Sequence, residues 1–147
     1  MSFTKFSAEQ LEQVNEAVLD TGRLKRRTEV VMNKLIALAE TDYIAENIGL
    51  HIEAQPDGFY SINTPYGNGR GRTELAVSPE GHQAIVHIEK AVINRLDQTE
   101  WHPVWALTFR GKGTYAGDSN ESFEVGSFDD DGLPEILNSI VYAIAKA

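Results

Sequence analysis

Leu50-His51-Ile52-Glu53-Ala54-Gln55-Pro56-Asp57-Gly58-Phe59-Tyr60-Ser61-Ile62-Asn63 decides the fold class. Leu50 to Ala54 alternates apolar and polar residues, which is the period of a half-buried strand. Pro56-Asp57-Gly58 supplies turn chemistry, and Phe59 to Asn63 returns as the second arm of a hairpin. Upstream the period is that of a helix. The chain therefore changes from helix to antiparallel sheet at this point, and Gly49 marks the boundary as the expected helix C-cap.

The helical pattern begins at Ser7-Ala8-Glu9-Gln10, a capping box with Phe6 and Leu11 placed for a hydrophobic staple. Apolar or small residues then recur at Leu11, Val14, Val18, Thr21, Leu24, Thr28, Val31, Leu35 and Leu38. This is heptad spacing with one slip between Thr21 and Leu24, the spacing of a coiled-coil seam. Gly22 sits in the slip, so residues 8–46 read either as one helix or as two broken at Thr21-Gly22. One glycine costs a helix only about 1 kcal/mol, which favours the continuous form. Such a helix of about 38 residues reaches about 57 Å. A compact domain of this length spans roughly 30–35 Å, so the helix would overhang and call for a partner.

Downstream, Tyr66-Gly67-Asn68-Gly69-Arg70-Gly71-Arg72 combines glycines with two arginines. It reads as a loop joining two strands, or as an anion-binding turn whose amides and guanidinium groups would hold a phosphate or carboxylate. The order does not fit a P-loop or a dinucleotide fingerprint, because a strand and not a helix follows. Thr73–Ser78 is the third strand. Pro79-Glu80-Gly81-His82 turns into the fourth, Gln83–Lys90. Residues 91–100 are ambiguous. The fifth strand, Trp101–Arg110, places Trp101, Pro103, Trp105, Leu107 and Phe109 on one face, and Ser122–Phe128 is the sixth. Asp129-Asp130-Asp131-Gly132 leads into a last helix with Pro134 near its start and Leu137, Ile140, Val141 and Ile144 on one face. The expected architecture is α+β in one domain: a helical oligomerisation segment (1–48), an antiparallel meander of about six strands (49–128) and a C-terminal helix (133–147) packed on the sheet.

Charge narrows the partners. The chain carries 22 acidic and 13 basic residues, a net charge of −9. That field repels phosphate backbones, so nucleic acid is not expected. The N-terminus has no apolar signal segment and no run approaches the length of a membrane span, so no membrane partner and a cytoplasmic setting are expected. With no cysteine, disulfides and thiol chemistry are excluded. Basic residues gather only at Arg23–Arg27, which reads as a solvated helix face, and at Arg70 and Arg72.

Three functional readings follow. The leading one is a non-enzymatic binding protein, a homo-oligomer through its N-terminal helix that binds or inhibits a basic protein partner in a chaperone-, inhibitor- or immunity-like manner. Trp101 and Trp105 are its candidate protein-binding residues. The second is a small anionic ligand such as a nucleotide held by Tyr66, Asn68, Arg70 and Arg72. The third is a hydrolase or metalloenzyme built on His51-Ile52-Glu53 and His87-Ile88-Glu89, if those strands are neighbours. No catalytic template or cofactor motif is found, so no cofactor is expected. Asp129–Gly132 does not match calcium-loop spacing and reads as helix capping.

Overall fold

The computed structural model describes residues 4–78, 81–126 and 130–147. Helix α1 (Ala8–Ala39) is continuous through Gly22. The capping box at Ser7 and Gln10 forms in both directions, at 3.2 and 2.8 Å. The helix ends at Glu40, and a short helix α2 (Asp42–Asn47) follows. The break thus falls near Thr41 and not at Gly22. Gly49, at φ +72°, closes α2 by donating its N–H to the Ile44 carbonyl, a backbone position that favours glycine. Phe6 and Leu11 both stay exposed, so no staple covers them.

Six strands follow in a simple antiparallel meander: β1 (His51–Ala54), β2 (Tyr60–Thr64), β3 (Gly67–Ser78), β4 (Gly81–Ile93), β5 (Thr99–Arg110) and β6 (Gly113–Ala116). Helix α3 (Gly132–Lys146) closes the fold, which is α+β. The ambiguous stretch 91–100 resolves into strand to Ile93 and a turn from Asn94 to Gln98, with Asp97 at φ 58°. The sixth strand is not at 122–128. It is β6, and Ser122 contributes only an isolated bridge to Tyr115. Residues 127 and 128 of the expected strand, Asp129 of the acidic run, and Pro79 and Glu80 of the third turn lie outside the described residues. Asp131 is the N-cap of α3 by position, yet its side chain makes no capping hydrogen bond. Asp130 instead pairs with Lys34 of α1 at 3.2 Å. Pro134 is the third residue of α3 and not the first.

Both long helices lie on one face of the sheet. Their buried side chains, Leu24, Val31, Met32, Leu35 and Ala39 of α1 and Leu133, Ile136, Leu137, Ile140 and Ile144 of α3, pack on Ile52, Ile62, Ala84, Val86, Ile88, Leu107 and Phe109. Alternation then fixes the other face: His51, Glu53, Ser61, Arg70, Arg72 and His87 point away from the helices. Among the described residues, the buried core of α1 lies in its second half. In the first half, Leu11, Val14 and Val18 are 53–68% exposed.

Candidate functional site

The glycine/arginine stretch is strand and not loop. The turn before it is short: Thr64 pairs with Gly67, leaving Pro65 and Tyr66 at the tip. The Thr64 hydroxyl accepts from the Tyr66 N–H and donates to the Gly67 carbonyl, and Tyr66 itself is exposed. From Gly67 on, the residues alternate across the sheet. Gly67, Gly69 and Gly71 face the helices, and Asn68, Arg70 and Arg72 face outward. Gly67 and Gly69 let α3 approach. A Cβ on Gly69 would lie 2.8 Å from the Glu89 carbonyl oxygen and 3.0 Å from Ile144 Cδ1. Gly69 therefore serves close packing of helix on strand.

On the outer face both arginines converge on one carboxylate. Arg70 Nε lies 3.0 Å and Arg72 Nε 3.4 Å from Glu89 Oε1. Glu89 is nearly buried at 7% exposure. The Arg70 guanidinium is also stacked between two aromatic rings, 4.3 Å from the centroid of Trp101 and 5.0 Å from that of Phe59. Asn68 is exposed on the same face. The four residues expected to hold an anion thus divide: the arginines are drawn onto an internal partner, and Tyr66 sits apart at the turn tip.

Trp101 reaches this cluster because β5 is bulged. Ile88 pairs with Trp105 but Glu89 pairs with Pro103, so Val104 is the extra residue. The insertion shifts the alternation by one. The single aromatic face expected from Trp101 to Phe109 is therefore split. Trp105, Leu107 and Phe109 face the helices, with Trp105 edge-on to Phe123 at 6.1 Å, while Trp101 faces outward. Beside Trp101, hydrogen bonds from Asn94 and then His102 hold the Glu100 carboxyl below its ordinary range.

The histidines do not assemble. Strands β2 and β3 lie between β1 and β4, which separates His51 and Glu53 from His87 and Glu89 by about 14 Å of sheet. Each histidine has its own carboxylate neighbour: Glu53 for His51 at 4.0 Å, Asp20 for His82 at 3.6 Å, Glu74 for His87 at 2.8 Å and Glu100 for His102 at 3.0 Å. Among the described residues no group of three or more metal-ligating side chains occurs.

The fold is also open at the other end of β3. Its helix-facing residues there are Leu75 and Val77, 44% and 61% exposed. The first half of α1 runs past them without closing on them. An apolar wedge of about 250 Å³ results, with Val14, Val18, Thr21 and Leu24 on one wall and Leu75, Ala76 and Val77 on the other. The heptad positions on α1 signal this surface, whereas Leu75 and Val77 carry no signal in the sequence beyond strand alternation. Glu89 and Phe59, which complete the arginine cluster, are cross-strand neighbours that only register reveals. Among the described residues no helix is long and apolar enough to cross a membrane. Comparison with family models, curated proteins and solved structures finds no match to this chain, so its functional reading rests on this geometry.

Proposed function

We propose that this chain is a non-enzymatic interaction protein that pairs with a second copy of itself through the first half of α1 and the open end of β3, and offers its acidic surface to a basic protein partner. The observation that carries the reading is the apolar wedge. Residues 8–23 form about 24 Å of helix whose apolar seam touches little of the core. Helical segments of this length are marginal in water without an amphipathic face packed on something. A second copy presents the same seam and the same wedge, and two-fold self-pairing is the commonest way for such a surface to be covered. Bare Val14, Val18, Leu75 and Val77 line one region, unlike scattered surface apolar residues.

Sedimentation or light scattering across micromolar concentrations tests this. The expected result is a dimer that a Val14→Lys, Val18→Lys double variant converts to a folded monomer. A parent chain that stays monomeric throughout the range refutes the self-pairing. The enzyme and small-ligand readings draw less support, because the histidines are dispersed and the arginines of β3 are held by Glu89.

A further inference from the structure

A second cavity lies beside the wedge, where α1 crosses the end of the sheet. The β3–β4 and β5–β6 turns project from the same end, since Ser78 pairs with Gly81 and Arg110 pairs with both Gln83 and Gly113. Between them and the helix is a cleft of about 600 Å³, lined by Arg23 and Arg27 from α1, Arg110 and Lys112 from the β5–β6 turn, and Asp20 and His82. Four of the chain's 13 basic residues thus face one cavity in a protein of net charge −9.

These cations are held differently from Arg70, Arg72 and Lys34, and resemble Lys90, which donates to the Ile144 carbonyl at 2.9 Å. Arg70 and Arg72 take Glu89, and Lys34 takes Asp130. In the cleft the fixed arginines use neutral acceptors instead. Arg27 donates to the Gly111 carbonyl at 2.9 Å, the Lys112 carbonyl at 2.7 Å and the Thr114 hydroxyl at 3.1 Å. Arg110 donates to the Ser119 carbonyl at 2.8 Å and to Asn120 Oδ1 at 3.0 Å, and stacks 4.0 Å from the centroid of Tyr115. Burial lowers the Arg27 pKa from its ordinary value, as expected of a cation without a carboxylate against it. Among the described residues no carboxylate lies within ion-pair distance of Arg23, Arg27, Arg110 or Lys112, and Asp20 is turned to His82. Carbonyls orient the guanidinium groups without cancelling their charge, so the positive field is fixed in place before any ligand arrives.

We propose that this cleft binds a compact small-molecule polyanion through its phosphoryl or carboxyl groups. The volume is that of a small-molecule site. Among the described residues, four cations against one carboxylate match a ligand carrying two or three negative charges, and planar guanidinium forks suit its oxygen atoms. The site lies outside the self-pairing reading and does not depend on it.

The test is calorimetric titration of the full chain with pyrophosphate, and separately with citrate, at fixed ionic strength. The two arms distinguish a phosphoryl from a carboxyl source. Saturable binding of at least one is expected, weakened about tenfold or more in Arg23→Gln and in Lys112→Gln. Both side chains are exposed, so the variants should keep the parent's circular dichroism. Arg95→Gln removes the same charge from a distant turn and should bind as the parent does. Binding of neither probe at millimolar concentration overturns the proposal. So does binding that is unchanged in Arg23→Gln and Lys112→Gln, or weakened equally in Arg95→Gln.

Discussion

The two ends of β3 meet the helices in opposite ways. At Gly67, Gly69 and Gly71 the strand has no side chains on its covered face, and Ile144 of α3 rests almost on the backbone at Gly69. At Leu75 and Val77 the strand has apolar side chains on that same face, and the helix beside them stands off. One strand thus carries glycine where something is packed against it and bulk where little is. A fold seeking only to bury its own apolar area would do the reverse. The difference supports the proposal that the open end is a surface for another molecule, while the closed end serves packing within the chain.

The sharpest way to break the contrast is to put a side chain at the closed end. Gly69→Val would drive a branched group into the Glu89 carbonyl and Ile144. Overpacking against backbone should destabilise the protein by about 3 kcal/mol, and a domain of this size then loses roughly 6–12 °C in Tm. Val77→Ser at the open end should change the stability of the monomer by less than about 0.5 kcal/mol. Thermal unfolding monitored by circular dichroism, in dilute protein, compares the two. Equal losses would mean that the ends are not different in kind.

Glu89→Gln tests the outer side of the same closed end. It leaves Arg70 and Arg72 facing a neutral amide. Removing one partner of a buried pair costs about 3–5 kcal/mol, but these arginines are 30% and 40% exposed, and water will recover part of that. A loss of about 2 kcal/mol in urea unfolding is expected. An unchanged midpoint would mean that the cluster does not hold the sheet, and would return both arginines to the candidate ligand residues.

The Val14→Lys, Val18→Lys pair sharpens the open end. It should abolish self-association while leaving the unfolding of the dilute monomer within about 0.5 kcal/mol of the parent, since both side chains are more than half exposed. A large loss of monomer stability would place this part of α1 in the core after all.

Much of this fold is written in short-range pattern. The change of period at Gly49, the Pro56-Asp57-Gly58 turn and the Ser7–Gln10 box each act within a few residues, and each appears where the sequence puts it. What misled was also local. Gly67 to Arg72 alternates with period 2 as strictly as any strand, but glycine suggests a loop, and the residue packed on Gly69, Ile144, lies far along the chain. The Val104 bulge leaves no mark in composition, yet it moves Trp101 to the opposite face from Trp105. The basic cleft was legible only in part. Arg23 and Arg27 are one helical turn apart, but Arg110 and Lys112 join them through two hairpin turns that meet at one end of the sheet, which only the strand order determines.

The smallest effect concerns Gly22, the point at which the sequence left open whether the helix breaks. Helix α1 passes through it unbroken, and a Cβ built there meets nothing within 4 Å. Alanine at an exposed interior helical position should stabilise the chain by about 0.5–1 kcal/mol, because it removes backbone freedom from the unfolded state and strain from neither. A rise of a few degrees in Tm, with the dimer constant unchanged, is the expected outcome for Gly22→Ala. If stability rises but self-association weakens, the glycine serves as a hinge that lets the bare first half of α1 bend onto its partner, and the open end of the molecule is a moving arm. A fall in stability would mean that alanine at position 22 disturbs α1, and with it the wall beside Val18 and Val77 on which the proposed self-pairing depends.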